Sequence, residues 1–300
     1  MSGWRTTVQI SWQSLQSAPV TGWAVPSRWL AGLCAVTAVG ATLAPAPSLA
    51  APLDIRLEKF YDSSAPETSR IKNDAMKSLM REVGLAIGPR SLGPIASQGA
   101  LGVDAGYEMG ISGANANADY WKRGVETPAD SLVSHSFRVR KGWPQSMQVG
   151  TNVTYLADSN MYALGIEAQL SVIDGFRNIP DLGVRVSGAG VMGNSKMDLA
   201  FGAADAVLSK SFGVAGVLAI QPWLGYSFGA GYFKPNLDAL FPNDQTLRPI
   251  TPKFEAGWIL TQRGAVGFRV VVTRVQFGFE VLRSFTDSLN LMTGKIGVVF

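Results

Sequence analysis

The chain has 300 residues, of which 26 are basic and 22 acidic, with one histidine and one cysteine. The net charge of +4 arises without any basic run, so the composition does not indicate nucleic-acid binding. One cysteine and one histidine are too few for a disulfide framework or an ordinary zinc site.

The first fifty residues have the composition of an export signal. Arg5 and Arg28 are their only charged residues, and the apolar stretch 30–43 precedes the small-residue segment "APAPSLA". This order predicts a signal peptide cleaved after Ala50. The alternative, a membrane anchor, is disfavoured because about 20 apolar residues are needed to span a bilayer. Removing Arg5 and Arg28 from the 26 basic residues leaves 24 against 22 acidic ones, and Cys34 also departs.

Residues 51–99 are expected to form a periplasmic or plug segment that carries one short helix. Ser64 and Glu67 have the spacing of a capping box. Apolar residues recur at every fourth position as Ile71, Ala75, Leu79 and Val83. The pattern predicts an amphipathic helix over about 66–83, ended by Gly84. Two roles stay open: the helix plugs or caps a barrel mouth, or it binds a partner or the membrane surface.

From residue 100 the chain alternates apolar and polar residues, which is typical of β-strands. Ten strands are predicted, at about 100–112, 132–140, 146–155, 161–172, 182–192, 196–208, 213–228, 265–272, 275–284 and 289–300. A bulge is expected near Asp205, and residues 229–252 with four prolines are expected to form a large loop. The shift of alternation at Thr273–Arg274 predicts a two-residue turn, with a bulge in one long strand as the alternative. A start of the eighth strand as early as Phe254 stays open. If "KFEAGWIL" were instead a separate strand, an even count would require a second additional strand, giving twelve.

This pattern predicts an all-β fold, an antiparallel transmembrane β-barrel of about ten strands over residues 100–300. No apolar run after residue 50 approaches the ~18 residues of a spanning helix. A closed barrel is the only β-structure that satisfies every backbone group in lipid. A soluble exported β-protein is the alternative. If both ends lie in the periplasm, the connections 113–130 and 229–252 lie outside the cell.

The last strand carries a further pattern. Met292, Ile296, Val298 and Phe300 occupy alternate positions, although Gly294 interrupts the apolar series. With the export signal and the alternating strands, the chain resembles Gram-negative outer-membrane β-barrel proteins that have a Phe-terminated last strand. The resemblance implies a bacterial outer-membrane location, contact with lipid and lipopolysaccharide, and recognition of this strand by the barrel-assembly machinery. It matches no family of specific function.

If the apolar residues face lipid, the alternate positions place charges in the lumen. The predicted lumen-facing set has balanced signs: Asp104, Glu108, Arg138, Arg140, Glu167, Arg185, Asp198, Arg269, Glu280 and Lys295. A selective pore tends to show one dominant sign, so the balance favours paired charges. Ten strands lie near the size at which side chains fill a barrel, whereas many inward glycines would open it. A closed lumen and a narrow small-solute channel both stay open.

Catalytic and metal sites are not predicted. His135 lies between Ser134 and Ser136, whose side chains point to the opposite face of a strand. Four loop aspartates without motif spacing are the only calcium candidates: Asp119, Asp130, Asp238 and Asp244. Five aromatic residues near strand ends suit an interfacial girdle or loop packing: Trp121, Trp143, Tyr155, Trp223 and Trp258. Lys122 and Arg123 could contact lipopolysaccharide phosphates, or simply be solvated.

The sequence therefore predicts a non-enzymatic outer-membrane barrel without cofactor, acting as a narrow pore or a small-solute transport or binding protein. The alternative is a structural or adhesive surface barrel with a closed lumen. A lipid-acting enzyme is less favoured, because His135 has no suitably placed nucleophile.

Overall fold

The computed structural model describes residues 51–60, 72–90, 93–95, 97–176, 178–214, 217–236 and 256–300. The predicted signal peptide, the Ser64/Glu67 capping box and Ile71 lie outside these residues. Asp238, Asp244 and the possible strand start near Phe254 also lie outside them.

The described strands form one closed antiparallel barrel. Their bounds are β1 Val103–Gly113, β2 Ser131–Trp143, β3 Met147–Leu156, β4 Tyr162–Ile173, β5 Asp181–Met192, β6 Met197–Ser209, β7 Phe212–Val214, β8 Leu218–Pro235, β9 Gly257–Val272, β10 Val275–Ser284 and β11 Asn290–Val299. Neighbours in sequence pair with each other, except that β6 pairs with β8 and the three-residue β7 pairs with the start of β8. Pairing of β1 with β11 closes the ring. Ten long strands in the described residues confirm the predicted fold class and strand number.

The barrel has two unlike mouths. At one, called here the strand-terminal mouth, β1 begins beside the end of β11, with Asp104 opposite Val299. Its connections include 144–146, 174–180 and the predicted two-residue turn at Thr273–Arg274, which is confirmed by the pairing of Val272 with Val275. The other, called the loop mouth, carries the connections 114–130, 157–161, 193–196 and 285–289.

Two sequence predictions about β6 and β8 are wrong. The bulge near Asp205 is absent, because Asp205 pairs with Arg185 and Ala206 pairs with Val184 in unbroken register. The predicted loop starts too early, since residues 229–235 continue β8 and pair with both β6 and β9. Gly229 and Gly231 fall in this stretch, and glycine gives a weaker local strand signal than aliphatic residues do.

Before the first strand, the described residues contain a 3₁₀ turn at Glu58–Phe60 and helix α1 at Asn73–Ile87. A second short helix, α2, spans Asp119–Gly124 in the loop after β1. Helix α1 passes the predicted stop at Gly84 and ends where the Gly88 N–H donates to the Gly84 carbonyl at 3.0 Å. Gly84 is retained inside the helix because a Cβ there would lie 2.5 Å from the Phe201 ring. None of the described helices has the length and apolarity to cross a membrane.

The two faces of the barrel wall differ in character. The outward face is apolar and exposed on strand after strand, with Tyr107, Met109, Ile111, Phe137, Ile166, Val186, Leu224, Val266, Phe277 and Ile296 among its residues. The inward face buries charged and polar side chains over much of its height. Soluble monomers rarely expose apolar patches larger than a few hundred Å². The arrangement is that of a barrel with an apolar outer belt.

Candidate functional site: the occupied lumen

The described residues between 51 and 102 run through the barrel and are called here the lumenal segment. It starts at the loop mouth, where the Leu53 N–H donates to the Asp158 carbonyl at 2.9 Å. The Arg56 N–H donates to the Gly124 carbonyl at 2.7 Å in the same mouth. The Asp54 carboxylate accepts the Asn160 N–H at 2.8 Å. These partners belong to the β1–β2 and β3–β4 connections, so the segment is anchored at the rim.

The upper part of the segment closes the loop mouth with an apolar core. Leu53, Ile55, Leu57 and Phe60 bury against Trp121, Val125, Leu132, Leu156 and Met161, and helix α1 adds Met76, Leu79, Met80 and Val83. Gly124 of helix α2 lets Leu79 approach, because a Cβ at that position would collide with its side chain. Burying a Leu or Phe side chain contributes about 1.5–3 kcal/mol. This cluster therefore seals the mouth rather than leaving a water-filled vestibule.

Glu82 connects helix α1 to the β1–β2 loop. Its carboxylate accepts the Asn115 N–H at 3.0 Å, the Tyr120 hydroxyl and the Trp121 indole N–H. Burial and the Glu82 carboxylate raise the pKa of Tyr120 well above its usual range. A carboxylate that accepts three donors holds α1 and the loop in one arrangement.

Arg90 ties the middle of the segment to the barrel wall. Its guanidinium donates to the Ala86 carbonyl and to the Ser134 hydroxyl. From the wall, Arg263 donates to the Pro89 carbonyl at 3.1 Å. Arg138 donates to the Arg90 carbonyl at 3.5 Å, near the limit for a hydrogen bond. Wall and segment are thus joined by hydrogen bonds in the interior of the barrel.

The lower part of the segment reaches the strand-terminal mouth. The Ile95 carbonyl accepts the Gln169 amide at 3.2 Å and the Ser171 hydroxyl. The Ser97 N–H donates to the Asp174 carboxylate at 3.0 Å. The Gly142 N–H donates to the Gly102 carbonyl at 2.8 Å, one residue before β1 begins. The segment therefore traverses the lumen from one mouth to the other.

An ion-pair network lines the wall beside this segment. Arg138 lies 3.0 Å from Glu108 and 2.9 Å from Glu167, and Glu167 also pairs with Arg140. Arg140 and Glu167 stand on β2 and β4, with Gly150 of β3 between them. A Cβ on Gly150 would lie 2.9 Å from both side chains, so glycine makes the cross-strand pair possible. The four charges balance within a volume closed to solvent.

Two further ionic groups complete the wall. Lys295 lies 2.9 Å and Arg269 3.8 Å from the Asp104 carboxylate, which also accepts the Gln276 amide at 2.5 Å. On the opposite side, Arg185 lies 3.1 Å from Asp205. These pairs are buried, with side-chain exposures below 10%. A desolvated pair is costly to break, because its partner is left as an uncompensated charge.

Nine of the ten residues predicted to face the lumen lie buried on the inward face: Asp104, Glu108, Arg138, Arg140, Glu167, Arg185, Arg269, Glu280 and Lys295. Asp198 is the exception, and its prediction is wrong. It is exposed on the outward face and lies opposite Lys234 in the β6–β8 register, while its neighbours Met197 and Leu199 point inward. Near the loop mouth the lumenal segment is apolar and packs against apolar wall residues. Apolar residues therefore face inward there, and the charged Asp198 faces outward.

Charged lumenal residues that the sequence prediction missed include Arg90, Asp205 and Arg263. Arg90 lies outside any strand, so no alternation marked it. Asp205 was assigned to a bulge that does not exist. Its inward parity, shared with Phe201 and Val207, was the signal that could have identified it.

Two small pockets lie among the described residues of the lumen. One pocket of about 20 Å³ lies between Gly84, Phe201 and Arg263, and another of about 10 Å³ lies between Arg140, Arg269 and Lys295. One water molecule needs about 10–15 Å³ measured in this way. Each of these two pockets is therefore large enough for about one water molecule and too small for a column of solvent.

The predicted surface features fall into two groups. Trp143 and Trp258 are exposed at opposite mouths, and Tyr155 is exposed near the loop mouth, as a girdle requires. Trp121 and Trp223 are buried, so their assignment to a girdle is wrong. Trp121 packs in the apolar core of the loop mouth, and Trp223 points into the barrel, where Gly267 leaves room for its indole.

The remaining candidates show ordinary surface contacts. The Tyr107 hydroxyl lies 2.6 Å from His135 Nδ1 on the outward face, whereas Ser134 and Ser136 are buried on the inward face. Arg123 pairs with Asp119 at 2.6 Å, and Lys122 is exposed on helix α2. Among the described residues no group of three or more histidine, cysteine or acidic side chains could hold a metal ion.

The residues of the last strand lie outside. Met292, Ile296, Val298 and Phe300 are all exposed on the outward face. Their role as an assembly signal stays a prediction, as do the contacts with lipid, lipopolysaccharide and a small solute.

Comparison with known proteins yields structural matches alone. No protein-family model and no curated protein matches the chain. Among solved structures it is similar to Ail, the attachment invasion locus protein of Yersinia pestis, with 10% identity, 66% of this chain and 97% of that chain covered, and a TM-score of 0.25. Omp33 of Acinetobacter baumannii gives 10% identity, 67% and 100% coverage and a TM-score of 0.25. The KdgM porin, solved in complex with disordered oligogalacturonate, has 8% identity, with 67% of this chain and 98% of that chain covered and a TM-score of 0.29.

These matches are outer-membrane β-barrels, the class that the sequence resembles. Identities near 10% and TM-scores below 0.3 transfer no function and define no family for this chain. By their names, Ail is an attachment protein and KdgM is a porin, which are two different functions.

Proposed function

We propose that this protein is a non-enzymatic bacterial outer-membrane barrel whose resting form is closed by its own N-terminal segment, and that it acts as a structural or adhesive surface barrel. The apolar outer belt supports the membrane location, because strands of 10–18 residues can cross a hydrocarbon core that needs about 9–11 tilted residues. The closed ring leaves no unpaired edge between β1 and β11.

The observation that carries the closed state is the occupied lumen. Leu79 and Ile95 are fully buried and Arg90 is 4% exposed, at successive depths of the barrel. An open small-solute pore would instead leave such positions hydrated. The balanced ion pairs also present no dominant sign that would select one class of ion.

The decisive experiment is heat-modifiability combined with liposome swelling on the refolded chain 51–300, with a general porin as the positive control. We expect a band that shifts on boiling and no sugar uptake. A shift with uptake would contradict the closed state and favour the narrow pore or transport function. The absence of a shift, with solubility without detergent, would contradict the membrane barrel.

A further inference from the structure

The direction in which the lumenal segment runs through the barrel places residue 51 at the loop mouth. Its contacts descend in order through the barrel. Asp54 accepts a hydrogen bond from Asn160 at the loop mouth. Arg90 donates to Ser134 on the barrel wall. Ser97 donates to Asp174 at the strand-terminal mouth. Phe60 and Lys72 lie at the same level of the barrel, because the Lys72 N–H donates to the Phe60 carbonyl at 3.3 Å.

The segment is long enough for this path. Helix α1, with 15 residues, covers about 22 Å at 1.5 Å per residue. The stretch 88–102 that follows can extend by up to about 3.3 Å per residue, close to 50 Å in all. An apolar barrel belt is about 25 Å tall. A complete crossing therefore needs no strained geometry.

We infer that residue 51 and residue 300 lie on opposite sides of the membrane, so that the chain crosses it once more, through its own barrel, before β1 begins. Phe300 remains at the strand-terminal mouth, where its N–H donates to the Val103 carbonyl at 2.9 Å. The expectation that both ends share one side is therefore replaced. The inference rests on the proposed membrane location of the barrel.

The consequence is functional. Residues 51–60 join the loop surface, where Arg56 pairs with Glu126 at 2.5 Å and Glu58 pairs with Lys196. If the loop mouth faces outward, the barrel displays its N-terminal segment at the cell surface beside its loops. Any binding function of that surface then includes this segment, and assembly includes carrying it across the membrane.

Single cysteines test the topology directly, because Cys34 is the chain's one cysteine and can be replaced by Ser. Three exposed positions serve as reporters: Pro52→Cys in the segment, Asn117→Cys at the loop mouth and Pro144→Cys at the strand-terminal mouth. Each full-length variant is expressed in a Gram-negative host and treated with a membrane-impermeant maleimide, before and after permeabilisation. Heat-modifiability of each variant verifies that the barrel has folded.

We expect positions 52 and 117 to be labelled on intact cells and position 144 after permeabilisation. Labelling of 52 together with 144, and not with 117, would overturn the inference while leaving the barrel intact. If 117 were protected and 144 labelled, 52 should follow 117, which would support opposite sides with a reversed barrel. Equal labelling of all three on intact cells would overturn the membrane location, and the inference with it.

Discussion

Glu167 offers the sharpest test of the ion-pair network. Its carboxylate is 5% exposed and contacts both Arg138 and Arg140. Glu167→Gln keeps the side-chain shape and removes the charge, which leaves two buried guanidinium groups short of one negative partner. Breaking a buried pair costs about 3–5 kcal/mol. We expect a loss near 3 kcal/mol, because Arg138 retains Glu108 and the amide oxygen still accepts one hydrogen bond.

The measurement is the free energy of unfolding in detergent or lipid, followed by tryptophan fluorescence and by the heat-shifted gel band. Glu126→Gln is the matched control, because Glu126 pairs with Arg56 while being 53% exposed. An exposed pair contributes about 0–1 kcal/mol, so this variant should unfold almost as wild type does. Equal, small losses for both variants would refute a desolvated network and indicate a hydrated lumen.

Three further substitutions probe the segment and the wall. Gly84→Leu should displace helix α1 from the Phe201 ring, which should lower the free energy of unfolding by about 1–3 kcal/mol and increase liposome swelling. Adding Phe201→Ala should make room for the leucine and restore closure. Gly150→Val should separate the ion pair that crosses β3, and the unfolding free energy should fall without any change in outward labelling. Glu82→Gln should weaken the bonds to the β1–β2 loop by about 1–3 kcal/mol, detected as faster proteolysis of residues 114–130; an unchanged rate would contradict the anchoring role.

The strands were predictable because each of them carries its own alternation of outward apolar and inward residues. This alternation located β1 to β6, β10 and β11 within a few residues, whereas β9 begins at Gly257, eight residues before the predicted 265. The turn at Thr273–Arg274 followed from a shift of parity. Each strand shows these features independently of its partners.

The lumen was less predictable, because the residue types on its wall depend on the lumenal segment that packs against them. Near the loop mouth the wall must be apolar to meet helix α1, so Leu199 and Phe201 point inward and Asp198 points out. Gly84 looked like a helix stop because the ring that requires it, on Phe201, is more than a hundred residues away. The amino-acid pattern of residues 88–102 contains no local signal that predicts a path through a barrel.

The occupied lumen is tested most directly by a disulfide between the segment and the wall. The buried Ser171 hydroxyl on β4 donates to the Ile95 carbonyl, so Ile95→Cys with Ser171→Cys places two thiols close together. Ile95→Cys with Val184→Cys is the control, because Val184 is 45% exposed on the outward face. Both pairs are made with Cys34→Ser and oxidised mildly in native membranes. We expect the first pair to cross-link and the control to stay reduced, as read by mass spectrometry; two reduced pairs in a heat-modifiable barrel would contradict a lumen filled by its own chain.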